Sequence, residues 1–299
     1  MTRACPACGA TTFTPWFRGR ATLPAAVDSN TVVPSSDRFG STAGAVRRCR
    51  RCGHGSLADP PPHAVFEGAY ADASDPVSLA EEAGQVATAA RDVERLERFA
   101  SPGRLLDVGC WTGSMLVAAH QRGWQTEGLE PSAWAAARAS ARGCVVRTAT
   151  IDEADLEDGA YRAVVAADVI EHLLDPARAL ATLRRTLEDG GVLFLATPDA
   201  GSTVARVLGR RWWSVLPMHV QYFTRASMTA LLTRGGFVVE DVFTHPKTFS
   251  LEYYGDRLAA FAPMGGDLVR RAVRVSGRGQ RAVSPNLRDR MGVIARKHA

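Results

Sequence analysis

The chain has 299 residues, of which 46% are hydrophobic, and carries a formal net charge of +5. That length and apolar fraction suit one large domain with a buried core plus a small one. No run of about 18 apolar residues exists to span a bilayer, and Met1-Thr2-Arg3-Ala4-Cys5 lacks the apolar core of an export signal, so the expectation is a cytoplasmic protein with no membrane partner.

Residues 1–58 are rich in Thr, Arg, Pro and Gly and show little helical periodicity. They hold two matching motifs, Cys5-Pro6-Ala7-Cys8-Gly9 and Cys49-Arg50-Arg51-Cys52-Gly53. A C-x-x-C turn presents both thiolates to one ion, and the following glycine relieves the turn. Two such turns supply the four sulfurs of a closed tetrahedral zinc site, although the spacer is longer than in a usual zinc ribbon. With Cys5, Cys8, Cys49 and Cys52 as ligands no position remains for water. The expected zinc is therefore structural, in a zinc-ribbon-like module too small to build its own core. His54 and His63 are expected at the surface. Cys110 and Cys144 stand alone among apolar residues and read as small core side chains.

Asp59-Pro60-Pro61-Pro62 is an extended joint, and residues 59–102 read as a linker followed by a helical segment. Over Ser78–Ala100, Leu79, Val86, Val93, Leu96 and Phe99 share one face, which predicts a helix ended by Ser101-Pro102-Gly103. From 103 to 299 strands and helices alternate. Strands are expected at Arg104–Val108, Trp124–Leu129, Cys144–Thr148, Tyr161–Ala167, Gly191–Thr197, Phe237–Phe243 and Met291–Ala295. Helices are expected at Gly113–Arg122, Ser132–Arg142, Pro176–Leu187 and Ala226–Arg234. The alternation predicts an α/β domain, a parallel sheet with helices on both faces. Residues 247–288 break the rhythm and read as a helical insertion, in which Leu251, Tyr253, Tyr254, Leu258 and Phe261 serve packing or form a lid.

The first strand of that domain runs into Asp107-Val108-Gly109-Cys110-Trp111-Thr112-Gly113. Glycines let a backbone approach a ligand, and the carboxyl ends of parallel strands are where ligands bind. The spacing Gly109-x-x-x-Gly113 is not the dinucleotide G-x-G-x-x-G. Asp107 would repel a pyrophosphate and favour an ammonium or sulfonium. The second strand ends in Gly128-Leu129-Glu130-Pro131, where an acid can accept hydrogen bonds from both ribose hydroxyls of a nucleoside.

With the acidic stretch after strand three, Asp168-Val169-Ile170-Glu171-His172-Leu173-Leu174-Asp175-Pro176 and Gly191–Asp199, these motifs resemble the class I methyltransferases that use S-adenosylmethionine (SAM). The resemblance covers roughly residues 100–245 and the final strand, and is nearest to the ubiquinone-biosynthesis O-methyltransferases. It implies a Rossmann-like, seven-stranded sheet. It implies SAM contacts from Asp107, Gly109 and Gly113 on the methionine part, Glu130 with Pro131 at the ribose, Thr150 and Ile151 at the adenine with Asp152 nearby, and Asp168 facing both cofactor and substrate, while Trp111 covers the cofactor or turns outward. Trp111 stands where the family usually has glycine. Bacterial methyltransferases for natural products and deoxysugars are similar in carrying a zinc module ahead of the SAM domain, where it helps to enclose substrate.

A hydroxyl acceptor needs a base, and histidine suits neutral pH. His172 and His219 are the candidates, with Asp168 beside them. His172 has a structural role in the strand-to-helix turn as its alternative. A metal at Asp168, Glu171 and His172 is a further alternative. Arg210-Arg211-Trp212-Trp213, ahead of His219, is expected to form a substrate wall or a packed aromatic loop. The expected function is methylation of a small molecule at oxygen, in secondary metabolism or on a sugar. The rival is a zinc-ribbon ribosomal RNA base methyltransferase. Basic residues are nearly all arginine, Lys247 and Lys297 being the only lysines. The main basic stretch, Arg270 to Arg281, has the period of a solvated helix face rather than a groove for nucleic acid. A non-catalytic interaction protein is disfavoured by the intact glycine turn and Glu130.

Overall fold

The computed structural model describes residues 4–16 and 27–298. In chain order the elements are β1 (Phe13–Pro15), β2 (Val46–Cys49), β3 (Gly55–Leu57), α1 (His63–Ala71), α2 (Glu82–Leu96), β4 (Arg104–Val108), α3 (Ser114–His120), β5 (Gln125–Leu129), α4 (Ala133–Ala141), β6 (Val146–Arg147) and β7 (Tyr161–Ala167). Then come α5 (Pro176–Thr186), β8 (Leu187–Pro198), α6 (Thr203–Leu208), β9 (Gln221–Tyr222), α7 (Arg225–Arg234), β10 (Phe237–Thr244), β11 (Phe249–Ser250), α8 (Leu251–Phe261), α9 (Pro263–Val275), β12 (Ala282–Val283) and β13 (Arg290–Lys297).

The main sheet has seven strands in the order β10-β13-β8-β7-β4-β5-β6. Its neighbours are parallel except at β13, which runs antiparallel to both β8 and β10. The seven expected strands are present, and the parallel sheet expected from the alternation is a mixed one, with an antiparallel pair at one edge. Chain order reverses between β4 and β7, and the carboxyl ends of those strands open a crevice where open α/β sheets bind ligands.

Both faces of the sheet are covered, so the central strands are apolar throughout. Successive residues point to opposite sides. Leu106, Val164, Leu193 and Leu195 pack with Leu180 and Leu183 of α5 and Leu231 and Leu232 of α7. Leu105, Val165, Val192 and Phe194 pack on the other side with Val93 and Leu96 of α2 and with Trp124.

Helix starts follow their caps. Ser132 Oγ accepts from the Ala135 N–H, Asp175 from Arg178, and Thr224 and Ser227 form a reciprocal box at α7. The single helix expected over Ser78–Ala100 is instead a 3₁₀ turn, Pro76–Glu81, followed by α2. Pro76 and the Asp75 cap set the tighter turn. Gly84 lets the start of α2 approach the 247–250 segment, since a Cβ there would meet the Thr248 carbonyl oxygen at 2.5 Å.

The N-terminal segment forms a second sheet, β1-β2-β3-β9. Its fourth strand comes from residues 221–222, well beyond residue 58, with Gly55 opposite Tyr222 and Ser56 opposite Gln221. The segment 247–288 supplies a small hairpin, β11-β12, and the antiparallel pair α8 and α9. No helix among the described residues is long and apolar enough to cross a membrane.

Candidate functional site

A cavity of about 1260 Å³ opens over the carboxyl ends of β4, β5 and β7. It is larger than most sites for one small molecule. Asp107, Gly109, Trp111, Glu130, Pro131, Thr150, Ile151, Asp168, His172 and His219 all line it. Gly113 does not. Its φ is +82°, and a Cβ would face Cys144 and Ala139 at 3.0 and 3.1 Å. This glycine lets α3 start close against α4. Gly109 has φ +71°, and a Cβ there would strike Val169 at 2.6 Å.

At one end of the cavity two acids lie buried, Asp107 and Glu130. The Glu130 carboxylate accepts from the Trp111 N–H at 2.8 Å and from the Ser132 N–H at 2.9 Å. Burial pushes its pKa up to about 7 against those two hydrogen bonds. Burial, reinforced by the charge of Glu130, holds Asp107 well above the usual carboxylate range. Neither acid has an ion-pair partner among the described residues. Buried acids with no cation beside them favour their neutral form and ionise when a cation arrives, so the pair suits a cationic ligand. Trp111 itself sits at φ 48°, a left-handed conformation costly for a bulky residue. Its indole packs against Trp134 with centroids 5.7 Å apart, and its Nε1–H donates to Ser78 Oγ at 3.3 Å.

The other end is built around Asp168, also in the left-handed region at φ 58°. Its carboxylate pairs with Arg290 of β13 and with Lys247 Nζ at 2.5 Å. Burial works to raise the Asp168 pKa, but the two cations outweigh it and hold the carboxyl far below its ordinary range. Asp168 is thus a fixed anion engaged by the protein, not a free acid or base. It also lies outside the group of candidate metal donors. The atoms within 4.8 Å of one another are those of Glu171, His172 and His219, not Asp168, Glu171 and His172. Among the described residues neither Glu171 oxygen meets a hydrogen-bond partner. Burial, then the charge of Asp168, pushes this carboxyl up to about 8.

The two histidine rings meet edge-on, centroids 4.8 Å apart. His219 Nδ1 lies 2.7 Å from the Ser214 carbonyl oxygen. That oxygen can only accept, so the ring proton sits on Nδ1 and the lone pair on Nε2. His172 Nδ1 lies 3.2 Å from the Met218 carbonyl oxygen and 2.8 Å from the Tyr70 hydroxyl. Burial lowers His172 to about 4 and His219 to about 3, the latter helped by its neighbouring ring. Both rings are neutral at pH 7.

Beyond the histidines the wall is aromatic and aliphatic: Phe39, Trp213, Tyr253, Tyr254 and Phe261 line the cavity. Trp213 stands there, whereas Trp212 is buried behind it and Arg210 and Arg211 face solvent. Both indole N–H groups point to Asp289 Oδ2, at 3.4 and 2.7 Å. Sequence reasoning missed three groups at this end. Tyr70 belongs to α1, which lay in the presumed linker. Lys247 belongs to the insertion, and Arg290 begins the last strand. The rarity of lysine in this chain was the one available signal, for Lys247.

The four cysteines of the N-terminal motifs converge, all Sγ atoms lying within 4.8 Å of one another. Cys5 and Cys52 are 3.7 Å apart and Cys8 and Cys49 3.6 Å. A tetrahedron with metal–sulfur bonds of about 2.3 Å has edges of about 3.8 Å. The two turns are built alike. Gly9 and Gly53 both have φ +74° and donate to the carbonyls of Cys5 and Cys49. His54, expected at the surface, is fully buried because the second turn abuts the main domain. Its Nε2 bonds Gln221 Oε1 at 2.9 Å, and its ring packs on Phe223. His63 is half-exposed beside Glu67 and Asp152, at the rim of the cavity.

A family model described as a methyltransferase domain matches residues 81–242, just over half of the chain. A protein of Mycolicibacterium smegmatis named a probable SAM-dependent methyltransferase is 34% identical over 96 residues, 32% of this chain and 36% of that protein. A ubiquinone biosynthesis O-methyltransferase of Hahella chejuensis is 34% identical over 109 residues, 34% of this chain and 46% of the relative. The chain thus spans less than half the length of these curated relatives. Among solved structures, YcgJ from Bacillus subtilis aligns over 71% of this chain and 98% of its own, with a TM-score of 0.50 and 13% identity, a likeness of fold.

Proposed function

This chain belongs to the methyltransferase-domain family, and we propose that it transfers a methyl group from SAM to an oxygen of a small, largely apolar acceptor. The observation that carries the reading is the pair of buried acids without a cation, Asp107 and Glu130, at the glycine turn of β4 and β5. Bound there, SAM supplies a methyl group already activated by a sulfonium. Asp107 faces its positive charges, Glu130 its ribose hydroxyls, and Thr150 and Ile151 border the base.

The protein's task is then alignment and handling of one proton. Alignment alone contributes roughly 7–11 kcal/mol when reacting atoms are held in line. Phe39, Trp213 and Phe261 shape the acceptor chamber, as befits a small-molecule site. His219 presents a neutral ring with its lone pair on Nε2, the form that accepts a proton from an acceptor hydroxyl. His172, tied to Tyr70, buttresses it. Lys247 and Arg290 hold Asp168 ionised beside the chamber.

Zinc is the ion proposed for Cys5, Cys8, Cys49 and Cys52. Four thiolates leave no open position, so the ion would hold the two turns together and take no part in the chemistry. Two of the five arginines in the basic stretch are paired with acids, which weakens a nucleic-acid reading of it. Arg270 and Arg274 are engaged by Asp267, Glu252 and Asp256. The deciding experiment is a structure with S-adenosylhomocysteine bound. The reading predicts its ribose on Glu130 and a free chamber between its sulfur and His219.

A further inference from the structure

Helix α9 turns an apolar side to solvent. Met264, Leu268 and Val275 are 97%, 72% and 89% exposed. Spaced by four and seven residues, they form one stripe along the helix. The only charge on that stripe is Arg271, four residues before Val275. The acids nearby are already taken: Asp267 is held by Arg270 at 2.7 Å, and Glu252 and Asp256 of α8 lie against Arg274. Arg271, and Arg278 and Arg281 just past the helix, are exposed and make no ion pair among the described residues. The outward side of α9 is therefore apolar along its axis and positive through Arg271, with Arg278 and Arg281 adding positive charge past its C-terminal end.

We propose that this side docks on an anionic lipid surface. Charge decides between occupants. A twofold pairing of α9 with a second copy would bring two net positive stripes together with no unpaired acid on either to compensate. At an anionic bilayer the same arginines meet phosphates, while Met264, Leu268 and Val275 enter the boundary between headgroups and acyl chains. Such a helix lies in the surface plane and needs no spanning length. Its neighbour α8 lines the cavity with Tyr253, Tyr254 and Phe261. Packed helices are about 8–10 Å apart, so docking would set the aromatic wall of the chamber one helix away from the lipid. The proposal stands on the outer face of this helical pair and does not depend on the reaction inside.

Cosedimentation of the full chain with vesicles tests it. Protein should pellet with vesicles of phosphatidylglycerol mixed with phosphatidylcholine, several-fold less with phosphatidylcholine alone, and progressively less as salt rises. Arg271→Ala should weaken binding about fivefold, the effect of one arginine at an anionic surface, and Leu268→Glu with Val275→Glu should lower it by at least tenfold. An unchanged far-UV circular dichroism spectrum and melting temperature in these variants show that they are folded. The proposal is overturned if the wild-type protein stays in the supernatant with anionic vesicles. It is also overturned if the wild type is a dimer that the double variant converts to monomer, or if a soluble acidic polypeptide is bound while vesicles are not.

Discussion

His54 Nε2 and Gln221 Oε1 lie 2.9 Å apart across 167 residues of sequence. The same Gln221 donates from its side-chain nitrogen to the Leu173 carbonyl oxygen at 3.0 Å, and its backbone N–H donates to that of Glu171. One amide thus joins the second cysteine turn to the loop that carries His172 and sits two residues from His219. The thiol cluster and the candidate catalytic loop are held as one piece. Gln221→Ala should leave His54 Nε2 and the Leu173 carbonyl without their partner. The expected cost is about 1–3 kcal/mol, read as a lower melting temperature. Turnover should fall as well, because His172 and His219 lose their common brace; unchanged stability and turnover would mean the bridge is incidental.

Elemental analysis after dialysis against metal-free buffer should give one zinc per chain. Cys49→Ser should lower that stoichiometry and destabilise the protein. Chelation should broaden or shift the thermal transition, and four readily titrated thiols in a fully folded, metal-free protein would contradict the assignment.

Glu130→Gln removes a charged acceptor at the ribose position. A hydrogen bond to a charged group contributes about 1.5–3 kcal/mol, so calorimetry should show SAM binding weakened roughly 10- to 100-fold. Glu130 ionises near pH 7 in the free protein. A cationic ligand binds its ionised form, so SAM affinity should fall as pH drops below about 7 and level off above it. Binding at pH 6 should release a proton, measurable as a dependence of the heat on the buffer's ionisation enthalpy. Affinity flat between pH 6 and 8 would remove Glu130 from the cofactor's charge balance.

His219→Ala should lower turnover by about 10²–10⁴-fold with SAM affinity nearly unchanged. Burial puts the folded pKa of His219 at about 3 and that of His172 at about 4. No loss of rate from protonating these rings is therefore expected near pH 6.5. Their effect on stability has a definite sign. The unfolded chain takes up protons near pH 6.5 and the folded chain does not, so their contribution declines as pH falls from about 6.5 toward 4. Near-normal turnover of His219→Ala on the true acceptor would remove it as the base.

The sheet was legible because two-sided burial writes long apolar strands and because turn residues punctuate them. Arg104–Val108 and Tyr161–Ala167 were read to the residue. The antiparallel insertion of β13 was not, since strand direction leaves no mark on a short apolar run. The cofactor end was legible because Asp107, Gly109 and Glu130 lie in short, contiguous motifs. The acceptor end was opaque for the opposite reason. Tyr70, Lys247 and Arg290 come from segments far apart in sequence, and only the fold brings them to His172 and Asp168. His54 was misplaced because a lone polar residue beside a cysteine turn looks solvated unless its partner, Gln221, is known.

The place of β13 in the sheet has a consequence for how the molecule is made. The last strand in sequence order lies between β8 and β10, pairing with both. During synthesis β8 must therefore keep a bare edge until residues 290–297 leave the ribosome, an open template for wrong strand pairing. Arg290, which neutralises Asp168, arrives with that strand. A nascent chain can thus form the glycine turn and Glu130 early, but it cannot complete the acceptor end until nearly all of the described chain has been translated.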